Sequence, residues 1–315
     1  MHEQQFIRRI LDNIEKVIIG KENELRQILK GILAGGHILI EDVPGVGKTM
    51  IVKALARSLN LSYSRIQFTP DLLPSDILGV SIYNQKTGNF EFKKGPVFAN
   101  IILADEINRT SPKTQSALLE VMEENQVSEG THTYLLEEPF IVLATQNPVE
   151  HEGTFVLPEA QLDRFMIKVR IGYVSEENES KILQIYKNRE PIKEVEPIAD
   201  AAQISFLQNK VREVTVTRSI TDYIARIARA TRNNENIMLG TSTRASLALL
   251  KVAQANALME SRDFVIPDDV KQNAVAVLAH RIILSPIARA SGLKNEDIIN
   301  DILDKVDIPR NEKND

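Results

Sequence analysis

The sequence predicts an α/β fold, a parallel sheet layered between helices, followed by an all-helical region. Three observations carry this. Short apolar runs at 37–40, 100–104 and 140–145 each stop at a polar loop, as suits strands buried on both faces of a parallel sheet. The first of them is flanked on both sides by stretches that repeat apolar residues at helical spacing. Beyond Val169 strand signals nearly vanish and helical periodicity takes over. With 315 residues the chain exceeds the roughly 250–300 at which single cores stop growing, so two subdomains are expected.

Composition sets the exclusions. Hydrophobic residues make up 43% and charged residues 26%, as in ordinary globular proteins. The net charge of -5 gives no pull toward nucleic acid or anionic lipid. There is no cysteine, so thiolate metal sites and disulfides are absent, and the five histidines lack metal-ligand spacing. No charged-then-apolar leader is present and no apolar run approaches the roughly 18 residues of a membrane span, so a cytoplasmic setting is expected.

In chain order, Phe6, Ile7, Ile10, Leu11, Ile14 and Val17 mark a leading helix, and a second runs from Lys21 to Leu33 and stops at Gly35-Gly36. The strand at 37–40 then feeds Asp42-Val43-Pro44-Gly45-Val46-Gly47-Lys48-Thr49-Met50 and a helix ending near Asn60. In a strand, glycine-bearing loop and helix of this kind, backbone N–H groups can point inward at a phosphate and the helix adds its positive dipole end. Lys48 would reach the β- and γ-phosphates of ATP and the Thr49 hydroxyl would ligate Mg²⁺, making Val43 to Met50 the candidate nucleotide-binding residues. The general P-loop pattern has glycine where this chain has Asp42.

Residues 62–68 alternate as a second strand, and 80–83 with 90–92 read as a hairpin around Thr87-Gly88-Asn89, whose plain reading is a surface insert. The run to Ala104 places Asp105 and Glu106 at a strand tip. There Asp105 would hold Mg²⁺ through its water shell and Glu106 would orient and polarise the attacking water. Ser111-Pro112 starts the next helix with an N-cap and a first-turn proline, and 126–136 around Gly130-Thr131 suggests another hairpin. The strand at 140–145 leads to Asn147, which is either an amide facing the attacking water or γ-phosphate, or a turn residue before Pro148. Leu157 to Phe165 reads as a short helical stretch; its Arg164, taken alone, is a surface ion-pair partner.

Together, Val43–Thr49, Ala104–Arg109, Pro112–Glu120, Ala144–Pro148 and Leu157–Phe165 resemble the MoxR family of AAA+ ATPases over nearly the whole chain. The resemblance implies an AAA+ P-loop αβα core, a helical lid and assembly of the chain into a homo-oligomeric ring, typically hexameric. It makes residues 80–92 the helix-2 insert, Asn147 sensor 1, and Arg164 the arginine finger acting on ATP held by the neighbouring subunit. An arginine supplied in this way contributes about 10³–10⁵ in rate, so hydrolysis would depend on assembly.

The division expected is 1–175 for the N-terminal helices and core, 176–199 for a linker broken by Pro191 and Pro197, 200–305 for the lid, and 306–315 for a flexible tail. Lid helices are read at 200–209, 219–232, 243–259 and 267–279, with one short extended run from Glu213 to Thr217. In MoxR-like proteins the arginine opening the longest lid helix, here Arg244, is sensor 2; a cation at a helix N-terminus is poorly matched to the dipole, which a functional role would explain. Whether it serves its own subunit or a neighbour is open. Family members commonly act with proteins carrying von Willebrand A domains, so chaperone-like remodelling, maturation or metal insertion in a partner protein is implied. Two other classes stand beside this one: a nucleic-acid motor, opposed by the net charge, and a nucleotide switch with little turnover, opposed by Glu106, Asn147 and Arg164 together.

Overall fold

The computed structural model describes residues 2–41, 45–147, 154–187 and 190–309. The elements of the first half are α1 (His2–Glu15), α2 (Glu22–Leu33), β1 (His37–Glu41), α3 (Lys48–Ser58), β2 (Tyr63–Gln67), α4 (Pro74–Leu78), β3 (Gly79–Asn84), β4 (Asn89–Lys94), β5 (Ile101–Asp105), α5 (Pro112–Glu124), β6 (Gln126–Glu129), β7 (His132–Leu135), β8 (Ile141–Gln146), α6 (Glu159–Leu162) and β9 (Phe165–Val169). The helical remainder comprises α7 (Glu176–Tyr186), α8 (Ala201–Glu213), α9 (Arg218–Arg232), α10 (Thr243–Met259), α11 (Pro267–Leu278), α12 (Pro286–Ala290) and α13 (Asn295–Lys305), with β10 (Ile237–Leu239) paired to β11 (Ile283–Leu284).

Five strands make one parallel sheet in the order β2-β5-β8-β1-β9, and the two hairpins β3–β4 and β6–β7 stand apart from it. Period-two alternation divides the strand side chains between two cores. Ile38, Ile40, Ile101, Leu103, Ile141 and Leu143 join α1 to α3 and continue without a break into the lid helices. Leu39, Ile102, Ala104, Val142 and Ala144 face α5 together with Phe68 and Ile77. A histidine pins the sheet to α5: His37 Nδ1 accepts the Val142 N–H (3.0 Å), so Nε2 carries the proton and donates to the Met122 carbonyl (3.0 Å). Burial, opposed by the Met122 bond, lowers its pKa to about 4, and the ring is neutral at physiological pH.

The helical expectation for Leu157–Phe165 is met only over α6; Phe165 already opens β9, which runs beside β1. A five-residue strand with one lysine carries too little periodicity to announce itself. The lid grips its start. His280 Nε2 donates to the Phe165 carbonyl (3.1 Å), while the Arg281 guanidinium donates to the carbonyls of Phe165 (2.5 Å) and Met166 (3.2 Å) and to Asp163 Oδ1 (2.8 Å). Burial lowers the Arg281 pKa to about 10 against the pull of Asp163, which still leaves a cation.

The proline-broken segment after α7 is tied down. Ile198 and Ala199 both donate N–H to the Ser58 carbonyl (2.8 and 3.1 Å), Asn13 Nδ2 donates to the Glu196 carbonyl (2.7 Å), and Arg57 Nε to that of Val195 (2.6 Å). The run from Glu213 to Thr217 forms no strand, contributing a single bridge from Thr215 to Phe264. Of the expected tail, Val306 packs on the core and residues 310–315 lie outside the described ones. Among the described residues no helix is long and apolar enough to cross a membrane.

Candidate functional site

Two groups of predicted residues meet at opposite ends of the sheet. The first lies at the C-terminal ends of the strands. Val43 and Pro44 are outside the described residues, as is Asp42; from Gly45 on, the loop leads into α3, with Gly47 as its N-cap. Gly45 and Gly47 take φ of +86° and +87°, and a Cβ on either would meet nothing within 4 Å, so left-handed backbone rather than space calls for glycine. Lys48, Thr49 and Met50 form the first turn of α3, where the Gly47 carbonyl takes the Met50 N–H (2.9 Å) and the positive end of the helix dipole faces the loop.

Across β8 from this loop, β5 ends in Asp105. Thr145 on β8 is the knot between the carboxylates: its hydroxyl donates to Asp105 Oδ1 (2.7 Å) and accepts the Glu106 N–H (2.8 Å). Arg65 holds the other Asp105 oxygen through Nη2 (2.6 Å) and Nε (3.1 Å). Glu106 itself takes φ +58°, ψ +50°, a conformation costing about 1–3 kcal/mol outside glycine, and such strain collects at functional sites. Its Oε2 accepts Gln67 Nε2 (2.9 Å) and Arg109 Nη1 (3.1 Å). Asn147, buried just past β8, has its carbonyl held by Asn108 Nδ2 (3.4 Å). Among the described residues no three His, Asp or Glu side chains are grouped to hold a metal by themselves. One carboxylate and one hydroxyl, Asp105 and Thr49, nonetheless fit Mg²⁺, which keeps several waters and takes its other ligands from substrate phosphates.

Sequence reasoning missed the cavity beside the loop. A pocket of about 430 Å³ is walled by Ile18, Ile19, Met50, Tyr173, Leu183 and Tyr186, from three distant segments, next to Gly45-Val46-Gly47. No residue of α7 is buried, although Leu183 and Tyr186 on it are apolar, so this helix forms an outer wall with free apolar surface. An apolar slot at the mouth of a phosphate-binding loop suits a planar base. The only hint in the sequence is Ile18-Ile19, apolar residues left over where the first helix stops.

The second group lies at the N-terminal ends of the strands. Phe165 is level with His37 in the β9–β1 register, so Arg164 stands beside the start of β1 while the glycine loop leaves its far end. At ~3.3 Å per residue, β1 alone puts on the order of 15 Å between them. Arg244 joins Arg164 here. Both guanidiniums bind Glu123 on the last turn of α5: Arg164 Nη2 lies 2.9 Å from Oε2, and Arg244 Nη2 donates to Oε1. Arg164 Nη1 also donates to the Leu119 carbonyl (2.5 Å), and the Ser242 hydroxyl, at the N-cap of α10, donates to Asp163 (2.8 Å).

Comparisons with known proteins bear on the family and the fold. A family model described as the ATPase family associated with various cellular activities (AAA) matches residues 37–167, and one for the AAA lid domain matches 229–302. The chain is 51% identical to the uncharacterized protein YeaC of Bacillus subtilis, over 96% of this chain and 94% of that one. It is 42% identical to Chaperone MoxR1 of Mycobacterium tuberculosis, over 98% of this chain and 84% of that one. A crystal structure of a candidate ATPase from Cytophaga hutchinsonii superposes with a TM-score of 0.92 at 46% identity, covering 98% and 96% of the two chains.

Proposed function

Since the chain belongs to the MoxR family of AAA+ ATPases, we propose that it hydrolyses ATP at sites completed between the subunits of a ring, six in number. The observation that carries this reading is the separation of the two groups: a phosphate loop with its carboxylates at one end of the sheet, and paired arginines at the other.

In the nucleotide-bearing subunit, Gly45 to Thr49 cradle the phosphates and Lys48 neutralises them. Thr49 and Asp105 would hold Mg²⁺, which when bound offsets charge on the phosphate oxygens. Glu106 orients and polarises the attacking water, which requires its carboxylate to leave Gln67 and Arg109, and Asn147 contacts the water or the γ-phosphate. Arg164 and Arg244, too far from their own loop to share its phosphate, both serve the ATP of the adjacent subunit. The chaperone name of the Mycobacterium tuberculosis relative supports coupling of turnover to the remodelling of a partner protein; that the remodelling amounts to maturation or metal insertion, and that the partner carries a von Willebrand A domain, is proposed on the family resemblance alone. Exposed Ile82, Tyr83 and Phe90 on the β3–β4 hairpin, braced against the second hairpin by the Phe92–Tyr134 stack (4.4 Å), offer an apolar contact surface.

Mixing experiments test the reading. Glu106→Gln and Arg164→Ala are each expected to be inactive alone and active together, because an intact loop then meets an intact arginine. Arg164→Ala mixed with Arg244→Ala stays inactive if both arginines act across one interface. Activity in that second mixture would return Arg244 to its own subunit's nucleotide.

A further inference from the structure

The two guanidiniums share one carboxylate, and nothing in the hydrolysis scheme above uses it. We propose that Glu123 is a positioning residue that holds the arginine pair in the free subunit, competing for it with the terminal phosphate of a nucleotide carried by a second copy of this chain. This rests on the reading of Arg164 and Arg244 as groups that serve a neighbour's ATP.

The geometry is that of a stand-in. Glu123 offers one oxygen to each arginine, Oε2 to Arg164 and Oε1 to Arg244, and so spaces two like charges that repel when left alone. A terminal phosphoryl group presents the same pair of acceptor oxygens with more charge, and charge-assisted bonds of this kind are the stronger ones. The arginines are anchored by contacts that survive the exchange. Arg164 keeps Nη1 on the Leu119 carbonyl, and Ser242 keeps the start of α10 stapled to Asp163.

Displacement is also within reach. The side chains of Glu123, Arg164 and Arg244 are 36%, 29% and 48% exposed, so the ion pairs are water-accessible and individually weak. Glu123 sits in the last turn of α5, where the helix dipole disfavours a carboxylate. The pocket around it, about 290 Å³, is lined by Arg164, Arg244, Lys251 and Arg281 against the acids Glu123 and Asp163, so withdrawal of Glu123 leaves an anion-binding cavity. The exchange therefore has a threshold. A neighbour holding ADP, with no terminal phosphate to offer, leaves Glu123 in place; ATP does not.

Glu123→Gln keeps the shape and removes the charge. The full-length chain is compared with this variant by ATPase rate per subunit against protein concentration, and by sedimentation in ATP and in ADP. The concentration giving the half-maximal rate and the assembly midpoint in ATP are both expected to fall about fivefold, while the assembly midpoint in ADP, where no terminal phosphate competes with Glu123, holds, so the gap between ADP and ATP widens by a similar factor. Glu123→Ala must move the same two midpoints in the same direction. A lower saturating rate with unmoved midpoints would overturn the proposal, since Glu123 would then shape the arginines for chemistry instead of competing with phosphate. Unmoved midpoints with an unmoved rate overturn it as well. Full turnover in Arg164→Ala sinks the underlying reading, an outcome separate from an inert Glu123→Gln beside an inactive Arg164→Ala.

Discussion

The two ends of the sheet hold their charged groups by different means. At the phosphate end, Asp105 and Glu106 are fixed by near neighbours on the strands themselves, Thr145, Arg65 and Gln67, so the core alone sets their geometry. At the arginine end, Arg164 and Arg244 come from the β9 approach and the lid and converge on one α5 carboxylate. One end is built into the sheet; the other is assembled from three separate elements around a removable acid. In the proposed ring, the half held by the sheet would face the nucleotide and the half assembled around Glu123 would face the neighbour.

Lys48→Ala should break the phosphate end outright: titration with a fluorescent ATP analogue is expected to show no saturable binding, and ordinary affinity would remove the loop assignment. Arg164→Ala should break the other end differently, lowering turnover by about 10³–10⁵ while the nucleotide affinity of the free subunit stays in place. Loss of affinity there would mean that the arginine reaches its own loop, and the contrast between the ends would collapse.

Acid should loosen the arginine end through its anchor, because the carbonyl held by His37 belongs to Met122, next to Glu123. With the folded pKa near 4 against the usual 6.5, the unfolded chain takes up a proton across that window and the folded chain does not. Stability is therefore expected to be full above about pH 6.5 and to fall by about 1.4 kcal/mol per unit below it, roughly 3 kcal/mol in all. His280, held well below its usual value by burial and by Arg281, adds in the same direction. Urea unfolding at pH 7 and pH 5 measures the loss, and His37→Asn should flatten it; an equal slope in both proteins would place the acid sensitivity elsewhere. The smallest effect is expected from Gln67→Ala. Freeing Glu106 from one hydrogen bond worth about 1 kcal/mol should raise the rate of dilute protein about two- to fivefold. A lower rate would show that Gln67 aligns the carboxylate instead of restraining it.

What was legible in the sequence was what lies close together along it. The glycine loop is written in consecutive residues, and the Asp105-Glu106 tip follows directly from an apolar run. Their meeting needs only that both strands be parallel and near each other, which continuous apolarity implies. Nothing in the sequence marks Glu123, because its partners lie 41 and 121 residues further on. The base-sized pocket escaped for the same reason, since Ile18, Met50 and Leu183 acquire a common wall only after folding. The linker's prolines signalled a break, but not the docking of its carbonyls and N–H groups onto α1 and α3, which are contacts without a sequence pattern.

The buried guanidinium of Arg281 has a mechanical meaning. Besides the Val277 carbonyl of the lid's own α11, it donates to the carbonyls of Asp163, Phe165 and Met166, and lifting the lid away would part the cation from all three. Breaking a buried charge from its partners costs several kcal/mol, and the apolar core runs across the same seam. The lid is thus welded to the sheet and not hinged on it. In the ring proposed above, each subunit would then turn as one rigid wedge, and turnover would act by rotating whole wedges against one another.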